Sequence, residues 1–230
     1  ELTPLSALKM AEFAADIFPA GVLNVVTGQG ETLGDALVKH KDVAMVSVTG
    51  DVNTGKLIAR NAAESLKRVH LELGGKAPVV VFDDADLELT AQTLIDMGYY
   101  NSGQDCTAPC RVIAGPKIYD DLVSALASKA SGVATGDPSN PDTAMGPLVS
   151  AEQKERVAGM VDRAVQDGAE VVAGGSAIDS SGYFYQPTVL ANPSQDSEIV
   201  QREVFGPVIS VQKFSDENQA IEWANGVDYG

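Results

Sequence analysis

Short apolar runs alternate with longer stretches of mixed polarity along the chain, and glycine turns separate them. Runs of β-branched and other apolar residues bounded by such turns are typical of buried strands. Four strands are predicted in this way, at residues 22–26, 43–48, 69–73 and 78–82. Strand, turn, helix and strand in this order predict an α/β fold, in which parallel sheets carry helices on their faces.

Helices are predicted where apolar residues recur at helical spacing. Thr3 and Pro4 are typical of a helix start, with Thr3 as the N-cap, and this helix should run to about residue 18. The other helices are predicted from the turn after residue 28 to about 40, and near 53–64, 87–100, 116–130, 151–167 and 216–225. No repeat and no low-complexity linker is visible, so the domain boundary should be compact, near Gly74-Gly75.

The composition is that of a folded protein with an acidic surface. The chain has 230 residues, 44% hydrophobic and 21% charged, which is enough for one large domain or parts of two. Its formal net charge of −16 disfavours nucleic acids and anionic membranes as partners, because both would be repelled. The sequence contains no run of about 20 apolar residues and only 2 cysteines, so neither a membrane span nor a disulfide framework is predicted. We expect a cytoplasmic protein and, since the sequence begins with Glu1 rather than Met, an internal fragment.

Two glycine turns follow predicted strands and could hold phosphate groups. The first carries Gly30 and Gly34, a spacing that fits a dinucleotide site but is more often an ordinary tight turn. The second, TGDVNTGKL at residues 49–57, looks like the P-loop of an ATPase. However, Leu57 stands where the magnesium-binding Ser or Thr is required, and Asp51 would oppose the charge of a triphosphate. The ATPase interpretation therefore fails.

Cys106 and Glu72 are the candidate reactive residues, and each has a plainer interpretation. Cys106 lies in a polar turn, where an accessible thiolate is expected, although a lone cysteine is more often structural. Glu72 closes an apolar run and is expected to be half-buried, so that desolvation would raise its pKa toward that of a general base. The alternative is a surface pair with Arg68 or Lys76.

Three motifs then occur in a fixed order: LELGGK at 71–76, GQDC at 103–106 and EVFGP at 203–207. In this order and at this spacing they resemble the aldehyde dehydrogenase superfamily. ELTPLSA at the start, MGPLVS at 145–150 and GYFYQPTVL at 182–190 extend the resemblance over essentially the whole chain. It implies that residues 1–73 are the C-terminal part of an NAD-binding domain, and that residues 74–230 are a catalytic domain truncated at its C-terminal end.

The resemblance implies a mechanism for oxidation of a small-molecule aldehyde to the carboxylic acid. Cys106 would be the nucleophile that forms a thiohemiacetal and, after hydride loss, a thioester. Glu72 would activate the water that hydrolyses the thioester. Two alternatives stay open: an NAD-independent cysteine hydrolase or esterase with His70 or His40 as its base, and an inactive truncated member of the family.

NAD is the cofactor that the resemblance implies, with NADP less favoured because a carboxylate at Glu1, beside the adenosine ribose, would repel a 2′-phosphate. The family pattern assigns cofactor contacts to eight residues: Glu1, Gly30, Gly34, Gly50, Gly55, Leu73, Glu203 and Phe205. Asp51 departs from the family, which commonly has Ser there. The difference matters because an ionised carboxylate cannot donate a hydrogen bond to a phosphate, as a serine hydroxyl can. No metal site is expected.

Within the superfamily, the sequences around both reactive residues most resemble aminobutyraldehyde and betaine aldehyde dehydrogenases. Asp105 would then line the substrate tunnel and attract an ω-amino cation, or else turn outward or pair with Arg111. Cys110 could be a zinc ligand, a resolving thiol for Cys106 or, as expected, a packed thiol. The resemblance also implies that the parent protein is a homodimer or homotetramer.

Overall fold

The computed structural model describes residues 1–229. The chain divides into two compact units, Glu1–Leu73 and Gly74–Gly230. The division falls beside the Gly74-Gly75 pair. Each unit is described separately below.

The first unit contains a two-stranded parallel sheet and short helices. Its elements are α1 (Leu5–Ala15), a π-helical turn (Gly30–Gly34), α2 (Asp35–Lys39), β1 (Met45–Thr49), α3 (Val52–Ala63) and β2 (Arg68–Glu72). Strands β1 and β2 pair in parallel, with Ser47 opposite His70 and Thr49 opposite Glu72. The alternating exposure of both strands places one face of the sheet at the surface.

Two expectations for this unit are wrong. Residues 22–26 form no strand, and Val22, Leu23 and Val26 are exposed. A strand needs a neighbour for its backbone hydrogen bonds, and in this unit β1 and β2 pair only with each other. The start of α1 also differs, because Pro4 takes the N-cap position and no side chain caps the helix.

The second unit is built on a five-stranded sheet. Its elements are β3 (Pro78–Val81), α4 (Leu87–Gly98), a 3₁₀ turn (Tyr100–Gly103), β4 (Arg111–Ala114), α5 (Tyr119–Ser131), α6 (Ala151–Gln166), β5 (Glu170–Ala173), β6 (Thr188–Ala191), α7 (Glu198–Gln201), β7 (Val208–Lys213) and α8 (Glu217–Asn225). The strand order is β3-β4-β7-β6-β5. All neighbours are parallel except β5, which runs antiparallel to β6. The α/β fold with parallel sheets is confirmed, with one antiparallel edge strand that the sequence pattern did not predict.

Helices cover the sheet of the second unit. Helices α4 and α5 pack against the main apolar core, while α6 and α8 each cover a smaller cluster. Three of these helices begin at a residue whose side chain accepts a backbone N–H: Asp86 for α4, Ser150 for α6 and Asp216 for α8. Among residues 1–229, no helix combines the length and the apolar composition needed to cross a bilayer.

Candidate active site

Cys106 lies in a turn that follows the 3₁₀ segment Tyr100–Gly103, and its side chain is half-buried. The chain reaches this turn through three consecutive residues with positive φ: Asn101, Ser102 and Gly103. A side chain on Gly103 would overlap the carbonyl oxygen of Gly206, so only glycine fits there. The turn that carries the thiol is therefore packed against the segment around residue 206.

Gly75 joins Cys106 to Glu203. Its backbone N–H donates a 3.0 Å hydrogen bond to Glu203 Oε1, and a side chain on residue 75 would overlap the carbonyl oxygen of Cys106. A side chain on Gly74 would overlap Oε2 of the same carboxylate. We call the segments 74–75, 103–106 and 203–206 the Cys106 cluster. Cys106, the proposed nucleophile, and Glu203, assigned to the cofactor, thus both lie close to the Gly74-Gly75 pair.

Helix α6 holds the third segment of the Cys106 cluster. Gln153 donates from Nε2 to the carbonyl oxygens of Val204 (3.2 Å) and Phe205 (2.7 Å). Arg156 donates to the carbonyl oxygens of Val204 (2.5 Å) and Glu203 (2.6 Å). Residues three apart on a helix share a face, so one face of α6 binds three consecutive carbonyls. Phe205, which is 36% exposed, has φ 56°, a strained value for a non-glycine residue that these bonds help to hold.

Lys76, directly after the Gly74-Gly75 pair, is a buried charged residue, at 2% exposure. Burial lowers its pKa, against the opposing influence of the nearby Cys110 thiol and the Glu203 carboxylate. Cys110 is half-buried beside this ammonium group. Within residues 1–229, no three His, Cys, Asp or Glu side chains come together as metal ligands would.

Asp105 does not pair with Arg111. Its Oδ1 accepts hydrogen bonds from the backbone N–H and the hydroxyl of Thr107, at 2.9 and 2.8 Å. Arg111 is fully buried and donates instead to the carbonyl oxygens of Lys76, Trp223 and Ala224. The carboxylate of Asp105, one residue before Cys106, is therefore fixed by its own turn.

Glu72 lies at the end of β2, and the expectation that it is half-buried is wrong. Its side chain is 61% exposed and its Oε1 lies 3.0 Å from Nε2 of His70. The desolvation argument for a general base thereby loses its premise. The other ring nitrogen of His70, Nδ1, lies 3.1 Å from the hydroxyl of Ser47. Both ring nitrogens are engaged within the first unit, so His70 offers no support for the hydrolase alternative.

The glycines assigned to the cofactor fall into two structural classes. Gly55 packs against Leu73, whose Cδ2 would lie 2.6 Å from a Cβ at position 55. Gly30, Gly34 and Gly50 have open space where a Cβ would stand. Packing therefore does not explain these three glycines, and a ligand phosphate could approach their backbone closely.

The ends of β1 and β2 meet at the second glycine turn. Gly50 donates its N–H to the carbonyl oxygen of Glu72 at 2.9 Å, so Gly50, Gly55, Glu72 and Leu73 lie together in the first unit. Asp51 is the N-cap of α3, and its Oδ1 accepts the N–H of Asn53 at 2.7 Å. This carboxylate places a negative charge at the end of the helix that would otherwise favour a phosphate. Glu1 is exposed.

Sequence reasoning did not find Gln153 and Arg156. Their spacing on a predicted helix places them on one face, but nothing local to the sequence shows what that face contacts. The motif LELGGK contains Gly75, but nothing local to the sequence shows its close approach to residues 106 and 203.

Comparison with known sequences gives one consistent result. A model of the aldehyde dehydrogenase family matches residues 1–230. Lactaldehyde dehydrogenase of Escherichia coli (strain K12) is 45% identical over 232 residues, which cover 100% of this chain and 48% of that protein. Betaine aldehyde dehydrogenase of Bacillus subtilis (strain 168) is 39% identical over 235 residues, with coverage of 100% and 48%. The chain thus spans about half the length of the curated relatives it matches.

Solved structures agree. The crystal structure of lactaldehyde dehydrogenase from Escherichia coli matches with a TM-score of 0.96 at 45% identity, over 99% of this chain and 48% of that one. A structure of betaine aldehyde dehydrogenase from Staphylococcus aureus in complex with NAD+ matches with a TM-score of 0.95 at 39% identity, over 99% and 46%. Because its motifs, its fold and a family match over all 230 of its residues agree, this chain belongs to the aldehyde dehydrogenase family.

Proposed function

We propose that the protein carrying this chain oxidises an aldehyde to the carboxylic acid with NAD+, and that Cys106 forms the covalent intermediate. The observation that carries the proposal is the Cys106 cluster, in which Gly75 contacts both the backbone of Cys106 and the carboxylate of Glu203. This arrangement suits a thiol and a cofactor-binding carboxylate that serve the same reaction. On this interpretation the unit Glu1–Leu73 is part of the cofactor domain, and the second unit is the thiol domain.

The first chemical step belongs to Cys106. Its thiolate adds to the aldehyde carbonyl, forming a C–S bond and a thiohemiacetal with the former carbonyl oxygen as an oxyanion. Cys106 is only half-buried, while the close packing of Gly75 and Gly103 fixes the backbone of its turn. NAD+, when bound, supplies the hydride acceptor that converts this adduct to a thioester.

Glu72 is proposed as the base of the second step. It would take a proton from the water that attacks the thioester carbon; the C–S bond then breaks, and the acid and the Cys106 thiolate are released. The motif match supports this role. In the chain itself, the exposed carboxylate of Glu72 is available to water and paired with His70.

Open space at the three unpacked glycines supports NAD+ as the cofactor, together with the NAD+ complex of the Staphylococcus aureus relative. Gly30, Gly34 and Gly50 would face the pyrophosphate, and Glu203 the nicotinamide ribose. The Gly75 N–H orients one oxygen of Glu203. The resemblance further implies a cytoplasmic homodimer or homotetramer, which fractionation and sedimentation would test.

An ω-aminoaldehyde is the substrate class that Asp105 supports. Asp105 is the residue before the nucleophile, and hydrogen bonds from Thr107 hold its carboxylate in place. A cation at the far end of the substrate would gain from this charge. The lactaldehyde and betaine aldehyde relatives define the competing choices, a neutral hydroxyaldehyde and a quaternary ammonium aldehyde.

The test is NADH formation by the full-length protein with aminobutyraldehyde, betaine aldehyde, lactaldehyde and propanal. We expect NADH formation by the wild type. Cys106→Ala should lower its rate by about a thousandfold or more, and Cys110→Ser should leave the rate unchanged. Turnover that survives Cys106→Ala would overturn the proposal. Asp105→Asn should raise KM for aminobutyraldehyde selectively; an equal effect on propanal would reject the ω-amino assignment alone.

A further inference from the structure

Glu72 is the last member of a chain of three polar side chains on one face of the first sheet. Ser47 Oγ lies 3.1 Å from His70 Nδ1, and His70 Nε2 lies 3.0 Å from Glu72 Oε1. The strand register explains the alignment: Ser47 lies opposite His70 on the neighbouring strand, and Glu72 is two residues beyond His70 on the same face. The three groups are therefore held by backbone pairing rather than by chance contacts of long side chains.

The family match gives no role to His70 or Ser47. Side-chain exposures of 55% for His70 and 61% for Glu72 mean that their contact contributes little to folding stability. A contact of good geometry but small stabilising effect, made by the residue assigned as the base, suggests a role in proton movement. Imidazole is the side chain whose ordinary titration range permits proton exchange near neutral pH.

We propose that His70 is a positioning residue for Glu72 that receives the proton Glu72 takes from the hydrolytic water, with Ser47 orienting the ring. This inference rests on the proposed function. Water oxygen bonds to the acyl carbon, the water proton passes to Glu72, and the C–S electron pair returns to Cys106. The proton then moves from Glu72 to Nε2, which leaves an ionised carboxylate for the next cycle and an imidazolium that releases its proton to solvent.

The ring geometry suits this transfer. A hydroxyl both donates and accepts, so Ser47 can stay bonded to Nδ1 whether that nitrogen carries a proton or not. Nε2 then alternates between accepting the Glu72 proton and donating to the Glu72 carboxylate. Arg68, two residues before His70 on the same strand face, and Glu72 are the charged groups that share this face with the ring.

Hydrolysis of acetyl-Cys106, formed with p-nitrophenyl acetate, isolates this step, because the activated ester acylates the thiol without NAD+ and releases p-nitrophenolate. After the p-nitrophenolate burst, the steady rate reports hydrolysis of the acyl-enzyme. His70→Gln keeps a hydrogen-bond donor near Glu72 but cannot accept a proton. We expect an unchanged burst, a steady rate lowered about tenfold, and an acid limb of the pH–rate profile that moves to lower pH.

Controls separate this effect from general damage. His40→Gln changes the other histidine of the chain, whose Nδ1 accepts the Asp42 N–H, and should leave both rate and pH profile unaltered. Ser47→Ala should lower the steady rate in the same direction as His70→Gln, but less. The thermal midpoint of each variant should stay within about 2 °C of wild type, since these contacts are exposed.

The outcomes are distinct. A pH profile in His70→Gln identical to that of wild type, with the same steady rate, would overturn the role of His70 while leaving the proposed function intact. Loss of the burst in wild type, or NADH formation absent with every aldehyde, would instead refute the proposed function. If His70→Gln does not fold, Ser47→Ala still decides, because an unchanged acid limb and rate in that variant contradict the relay.

Discussion

Gly75 packs so closely against the carbonyl oxygen of Cys106 that no side chain can be placed on residue 75 without displacing the turn that carries the thiol. The same glycine donates its N–H to Glu203, which lies 128 residues further along the chain. Position 75 therefore sets the distance between two segments that the sequence keeps far apart. Its cause is steric: only a residue without Cβ permits both contacts.

Gly75→Ala should displace the Cys106 turn. We expect a loss of about 2–3 kcal/mol in the free energy of unfolding, as for overpacked sites, and a changed rate of Cys106 alkylation by iodoacetamide. Gly30→Ala is the comparison, because position 30 has open space. It should leave stability within about 0.5 kcal/mol yet weaken NAD+ binding. Equal stability losses in both variants would contradict the packing argument.

Arg156→Met removes two of the hydrogen bonds that hold the Glu203–Phe205 carbonyls. We expect KM for NAD+ to rise about tenfold, because the Glu203 carboxylate loses its fixed backbone. Arg163→Met, on the same helix, removes an exposed pair with Glu198 and is the matched control. Arg156→Lys should restore part of the affinity. An unchanged KM in Arg156→Met would show that α6 does not control this segment.

Asp51→Ser tests the charge at the start of α3. Serine caps helices as well as aspartate does, so the bond to Asn53 should survive while the negative charge is removed. KM for NAD+ should fall by a factor of about 3 to 10, and its dependence on salt should weaken. Asp216→Ser makes the same change at the cap of α8 and should have no effect. A rise in KM for Asp51→Ser would count against the pyrophosphate assignment.

The buried tyrosines Tyr99 and Tyr185 allow the energy of one hydrogen bond to be measured by comparison. The hydroxyl of Tyr99 donates to the carbonyl oxygen of Thr188 at 2.9 Å, whereas the buried hydroxyl of Tyr185 has no partner among the described residues. Burial raises the pKa of Tyr185 to about 12. Denaturant unfolding should show Tyr99→Phe destabilised by about 1–2 kcal/mol and Tyr185→Phe changed by less than about 0.5 kcal/mol. The reverse order would refute this assignment of the two hydroxyls.

Lys76 should make stability depend on alkaline pH. Burial lowers its pKa in the folded protein below the ordinary value of 10.5, despite the nearby Cys110 and Glu203. Between the two pKa values the unfolded chain binds more protons, so the Lys76 contribution to stability rises with pH through that window. Urea unfolding of wild type and Lys76→Met should show wild type gaining on the variant as pH approaches 10.5. Parallel pH curves would contradict a depressed Lys76 pKa.

Local patterns predicted the elements whose signal is contained within a dozen residues. The amphipathic helices α3, α5, α6 and α8 lie close to their predicted ranges, since helical periodicity recurs every few positions. None of the strands β4, β5, β6 and β7 was predicted; in β4 and β6 every residue is buried, so no polar alternation marks them. Arg111 added to the difficulty: a charged residue in a strand suggests solvent, yet it is fully buried against three carbonyls.

The amino-acid sequence by itself determined the family, the α/β class and the identity of the thiol and carboxylate candidates, because ordered motifs need no knowledge of distance. Only the tertiary structure decided which residues meet around Gly75, that Glu72 is exposed and paired with His70, and that residues 22–26 form no strand. Strand pairing and close glycine contacts depend on groups far apart in the chain, and each local segment is compatible with several partners. The selection among them comes from packing summed over the whole unit.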